Sequence, residues 1–215
     1  RFIQSHGLML QSMVGIALVE RNIALLAQMR AELPPETPLP ADCNALQPQP
    51  AETLALCPLM YGEWLGGSES THADDAKIAA DPNASDAEKT IYFIFMHQVE
   101  AQWLYKNSRY CLPEILAAVA HDEVRVPEPE QRKKYCSPLN PVCKIEGPDW
   151  SNYQARLLNA NRYLRAFELL QHPEAPLPPG YTRDDNAISF SLHPEKADAP
   201  AQTITLPLPG SRLNR

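Results

Sequence analysis

His97 and Glu100 stand three residues apart in "FMHQVEAQ", and His121, Asp122 and Glu123 are consecutive in "VAHDEV". An imidazole and a carboxylate three residues apart share one face of a helix, as a metal-ligand pair or a general base with its orienting acid would. A metal-dependent or other hydrolase built on His97, Glu100, His121 and Asp122 is the chemistry these residues would support. The plainer reading competes with it. Carboxylate-bridged di-iron helices repeat Glu-x-x-His, whereas His97 and Glu100 have the reverse order. A structural hydrogen bond between the two accounts for that pair, and His121 at a helix C-terminus favours the dipole. No G-x-S-x-G elbow, phosphate loop or dinucleotide fingerprint is present, and "GGSES" lacks the strand and helix of an elbow. No metal and no cofactor is expected.

The five cysteines, at 43, 57, 111, 136 and 143, bear on the compartment. None of the short pair spacings of zinc sites occurs, and "CSPLNPVC" puts six residues between its cysteines, too many for a thioredoxin-like redox pair. A Cys136–Cys143 disulfide would close that loop and stabilise it by roughly 2.5 kcal/mol. Cys43 and Cys57 bracket a proline-rich connection and form the next natural pair, which leaves Cys111 single. Either bond implies an oxidising compartment; reduced, buried thiols are the rival.

The elements that must position these residues are read from periodicity. A first helix is predicted from about His6 to Leu33, with Leu10, Met13, Val14, Ala17, Leu18, Leu25, Leu26 and Met29 at helical spacing. Its apolar run, Leu8 to Val19, is too short for a bilayer of about 30 Å and reads as buried helix. Pro34 and Pro35 end it, and residues 34–50 form a stiff connection. Pro58 predicts a kink or split in the next helical piece, Gly66 and Gly67 close it, and 68–84 reads as a polar loop. "SDAE" at 85–88 is a capping box opening a helix over about 86–108. That helix contains "IYFIFM", apolar all round, and is expected to be the central one. Pro113 begins another helix to about Glu123. A long helix capped by Asp149 or Ser151 runs to Gln171, with Trp150, Tyr153, Leu157, Ala160, Leu164 and Phe167 as its apolar stripe. "AISFSL" and "TITLPL" alternate as a hairpin over 187–208. The expected fold is mainly α: one domain over 1–215, a bundle of about five helices with proline-rich loops and a small C-terminal β-hairpin.

Composition excludes some functions. A net charge of −7 and a pI near 5.4 leave no concentrated basic face for nucleic acid. With 22 prolines and 8 glycines in 215 residues, the loops are stiff, extended coverings. Arg156, Asn159, Arg162 and Arg165 on the last helix suit an acidic partner, and Trp64 and Tyr61 are aromatics that anchor interfaces. The expected function is a non-catalytic, extracytoplasmic protein-binding domain, most simply periplasmic. An inhibitor, immunity protein or assembly factor fits, tethered through an anchor upstream of Arg1. A carrier of an apolar ligand between helices is a third expectation.

Overall fold

The computed structural model describes residues 9–125, 127, 150–195 and 199–212; Cys136 and Cys143 lie outside them. Among the described residues there are five helices and a small three-stranded antiparallel sheet. The helices are α1 (Met9–Ala31), α2 (Cys57–Ala80), α3 (Asp86–Ser108), α4 (Pro113–Ala120) and α5 (Ser151–Gln171). The strands are β1 (Tyr181–Arg183), β2 (Ala187–Ser191) and β3 (Thr203–Pro207). The mainly helical fold with a C-terminal hairpin stands, and β1 extends that hairpin by a short edge strand.

The centre of the molecule is α5. Its predicted stripe is buried at Leu157, Ala160, Leu164 and Phe167, and Ala155, Leu158, Ala166, Leu169 and Leu170 are buried as well. One apolar cluster joins it to α1 and the sheet through Ile23, Ala27, Phe167, Ile188, Phe190 and Leu206. A second joins it to the start of α2 through Ile16, Leu56, Met60, Tyr110 and Leu157. A third, of Leu54, Ala55, Val119 and Leu158, seats α4. β2 buries alternate residues, Ile188 and Phe190, as the period of two requires. Phe190 meets Tyr163 edge-on and stacks on Tyr181.

Amide side chains on α5 hold the coil segments to this core. Gln154 Oε1 accepts from the Leu56 N–H at 3.1 Å while its Nε2 donates to the Leu54 carbonyl at 2.9 Å. Asn161 grips both backbone groups of Gln49, at 2.6 and 3.3 Å. Asn159 does the same to His193, at 2.8 and 3.0 Å. Each clamp satisfies a donor and an acceptor that the loops cannot pair among themselves. The proline-rich connection is thereby an ordered covering, with Leu39 and Leu46 packed on the core.

Several expectations are corrected. α2 is one helix of 24 residues. Pro58 lies in its first turn, where a missing N–H costs nothing, and the helix passes through Gly66 and Gly67 and the polar stretch to Ala80. The close approach of α3 explains Gly67: a Cβ there would sit 2.5 Å from Trp103 Cζ3. α3 is not central, since none of its described side chains is buried. On α1 the buried stripe is Ser12, Ile16, Ile23, Ala27 and Ala31, while Val14, Leu18, Leu25 and Met29 of the predicted stripe are exposed. The same helix continues past Glu20 and Arg21, so that Ser12–Ala31 is long and apolar enough to qualify, by length and composition, as a signal or anchor helix. Trp150 occupies the cap position of α5 and Ser151 is its first helical residue, while Asp149 lies outside the described residues.

The disulfide is corrected too. Cys57 bonds Cys111, with Cα atoms 4.8 Å apart, and Cys43 is a free, buried thiol. The expected Cys43–Cys57 pair is excluded by this bond. Physically, α2 and α3 fold back on each other about the turn at 81–85, and helices of 24 and 23 residues return the chain beside its starting point. The first residue of α2 therefore meets the 3-10 turn Arg109–Cys111 that follows α3.

Candidate functional site

Two regions gather the residues singled out by their chemistry. The first is the helical hairpin α2–α3, an arm joined to the core at its base. There Leu59 and Met60 are buried against Tyr110, and the Cys57–Cys111 bond ties the two helices together. Beyond Met60 neither helix has a buried residue among those described. At the tip, Ser85 and Glu88 form the predicted capping box: the Ser85 N–H donates to the Glu88 carboxylate at 2.9 Å, and the Glu88 N–H donates to Ser85 Oγ at 3.3 Å. This cap holds the Glu88 carboxyl below its usual range, first through the Ser85 backbone and then through its hydroxyl.

Large apolar side chains face outward along the arm. Ile91, Ile94 and Phe95, at positions i, i+3 and i+4, form one patch, and Ile91 is 68% exposed. Trp103 and Leu104 lie exposed nearer the base of α3, and Tyr61 and Leu65 on α2. The Trp64 ring stands 5.4 Å from that of Tyr61, and its indole N–H is buried without a hydrogen-bond partner among the described residues.

Between the two helices lie His97 and Glu100, with neighbours that sequence reasoning overlooked. His97 Nδ1 is 3.5 Å from Glu100 Oε2, and His97 Nε2 is 3.8 Å from Asp75 Oδ2 on α2. His72 Nδ1 approaches the same Asp75 oxygen at 3.6 Å. The Ser68 hydroxyl donates to Glu100 Oε1. That bond, more than the one from His97, holds the Glu100 carboxyl below its ordinary range against the opposing effect of burial. The signal that was available is a second His-x-x-acid pattern at His72 and Asp75, hidden because 68–84 read as loop.

The second region lies at the end of α4. His121 is the C-cap, as the dipole argument expects, its N–H bonding the carbonyls of Ala117 and Ala118 at 3.2 and 3.0 Å. Asp122 follows in the left-handed region, φ +58°, with its N–H on the Val119 carbonyl and that of Glu123 on Ala118. This is the Schellman arrangement, where glycine is the usual occupant. Aspartate stands there for its side chain: Arg162 Nε and Nη2 donate to Asp122 Oδ2 at 2.8 and 2.7 Å, and His193 Nε2 lies 3.2 Å from Oδ1. Burial would raise the Asp122 carboxyl, but the bonds from His193 and Arg162, with the charge of Arg162, outweigh it and leave it lowered. Arg162 also donates to the Ser191 carbonyl, and its own carbonyl accepts from the Tyr181 hydroxyl at 3.1 Å. Tyr181 is pushed well above its usual range by burial.

The α5 residues expected to meet an acidic partner are engaged within the chain. Arg156 donates to Glu195 at 3.0 and 2.7 Å, Arg165 to Glu168 at 2.7 Å, and Asn159 is buried. Nearby Glu20 is raised, first by burial and then by Glu195, with Arg156 opposing. No protein family model, curated protein or solved structure matches this chain. The four residues of the hydrolase reading fall into separate networks. His97 and Glu100 engage Asp75 and Ser68, whereas Asp122 engages Arg162 and His193. The Asp122 network joins α4, α5 and the segment after β2, which is the geometry of a latch.

Proposed function

We propose that this chain is a non-catalytic protein-binding domain that works outside the cytoplasm and engages its partner through the apolar outer surface of the α2–α3 arm. One observation carries the reading: "IYFIFM", the most apolar run of α3, lies on a helix with no buried described side chain. Ile91, Ile94 and Phe95 form a patch that no element among the described residues covers, and such patches on a folded chain mark interaction surfaces. The matching partner surface is apolar and helical or grooved, read by side chains at i, i+3 and i+4. An inhibitor, immunity protein or assembly factor would use the arm in this way.

The compartment rests on Cys57–Cys111, a bond that persists in oxidising surroundings such as the periplasm. By length and composition α1 also suits an anchor, a role for which Ile16, Ile23 and Ala27 would have to leave their packed place beside α5. The test is a photo-crosslinking side chain at Ile94, compared with one at Ala76 on the arm's other helix, in cells that produce the protein. A discrete protein adduct from position 94, lost in Phe95→Glu, is expected. Equal labelling from both positions, or adducts to lipid alone, would contradict the reading.

A further inference from the structure

We propose that His72, Asp75 and His97 are the ligands of one divalent transition-metal ion of the zinc type, which cross-links α2 to α3 within the arm. His72 and Asp75 on α2, and His97 and Glu100 on α3, are each three residues apart, so each pair shares a helix face. The antiparallel packing turns these faces toward each other, with the two imidazole centroids 6.2 Å apart.

The spacing suits coordination better than hydrogen bonding. Asp75 Oδ2 is 3.6 Å from His72 Nδ1 and 3.8 Å from His97 Nε2, too long for hydrogen bonds. Metal bonds of about 2.0–2.1 Å in a tetrahedron place neighbouring donors about 3.3 Å apart, so each Asp75 pair needs to close by only a few tenths of an ångström, while the two rings must swing together by about 1 Å. As the side chains stand, no three donors among the described residues close on one centre. The imidazoles supply the adjustment, because His72 and His97 are 62% and 52% exposed and packing does not lock their rotamers.

The carboxylate between them is the independent sign of a missing partner. The Asp75 side chain is only 17% exposed, and its Oδ1 is buried with no hydrogen bond among the described residues. With Oδ1 orphaned and Oδ2 no nearer than 3.6 Å to an imidazole nitrogen, the carboxylate is incompletely compensated for its lost water, and a cation bridged by the carboxylate would supply the remainder. Outside the ligands, Glu100 Oε2 lies 3.5 Å from the other ring nitrogen of His97, a gap that the same ring movement would close, and Glu100 is itself held by Ser68. With that contact closed, the arrangement would be the carboxylate–histidine–metal relay that fixes the tautomer and turns the Nε2 lone pair to the ion. Two imidazoles and one carboxylate, with the fourth position left to water, suit zinc and its borderline neighbours over magnesium or calcium.

The experiment titrates the untagged chain with Zn²⁺ alone by calorimetry, and with Co²⁺ followed by its absorption bands. One equivalent is expected, lost in both Asp75→Asn and His97→Ala, with circular dichroism showing the helices retained. Glu100→Gln should keep the stoichiometry and weaken binding by about 10–100-fold. Binding no tighter than that of His72→Ala/Asp75→Asn/His97→Ala, or binding unchanged by Asp75→Asn, would overturn the site.

Discussion

α5 and α3 are of similar length, 21 and 23 residues, and their surroundings are the reverse of what their sequences suggest. α5 is rich in Asn, Gln and Arg yet is buried on most sides, whereas α3 carries "IYFIFM" and buries no described side chain. The difference lies in what each polar or apolar group meets. On α5 the amides of Gln154, Asn159 and Asn161 take up loop backbone, so polar residues serve as buried connectors. Among the described residues the long neighbour of α3 is α2, and two helices cannot enclose an apolar surface that runs all the way round one of them.

The comparison breaks most sharply under truncation of a core aromatic. Phe167→Ala on α5 should cost about 3–5 kcal/mol in denaturant unfolding, while Ile91→Ala on α3 should change stability by less than about 0.5 kcal/mol. Comparable losses at the two sites would mean that the arm is packed. Next in size is the base of the arm: Cys57→Ser/Cys111→Ser should lose about 2–4 kcal/mol in melting experiments, since the bond closes a separation of 54 residues. Gln154→Ala should follow at about 1–3 kcal/mol, because it strands the Leu56 N–H and the Leu54 carbonyl.

The smallest effect is one of pH. The Asp122 carboxyl is lowered in the fold, so its contribution is complete above the ordinary aspartate range and is lost as pH falls below about 4. Asp122→Asn tolerates the left-handed backbone and removes the charge. Its stability should therefore vary less with pH on the acid side than that of the parent chain. The side chain is 45% exposed, which keeps the difference small.

Local signals carried much of this fold. The Ser85 cap, the limits of α3, the Pro113 start, the stripe of α5 and the alternation of β2 and β3 are all written within a few neighbouring residues. The reading failed where contacts span long separations. Gly66, Gly67 and the polar run to Ala80 lack the marks of a helix, yet the packing of Trp103 over Gly67 makes one. Missing that helix hid the hairpin, and with it both the Cys57–Cys111 bond and the meeting of His72 and Asp75 with His97. His193 was overlooked for a similar reason, since it reaches Asp122 across 71 residues. Asn159 read as part of a face for an acidic partner because nothing local announces the loop it holds.

Native-state hydrogen exchange across the two helices tests the division into core and arm most directly. Amides from Ile91 to Leu104 on α3 should exchange through local opening, well before those from Gln154 to Leu170 on α5, which should await global unfolding. Equal protection of the two helices would contradict it and place α3 back in the core.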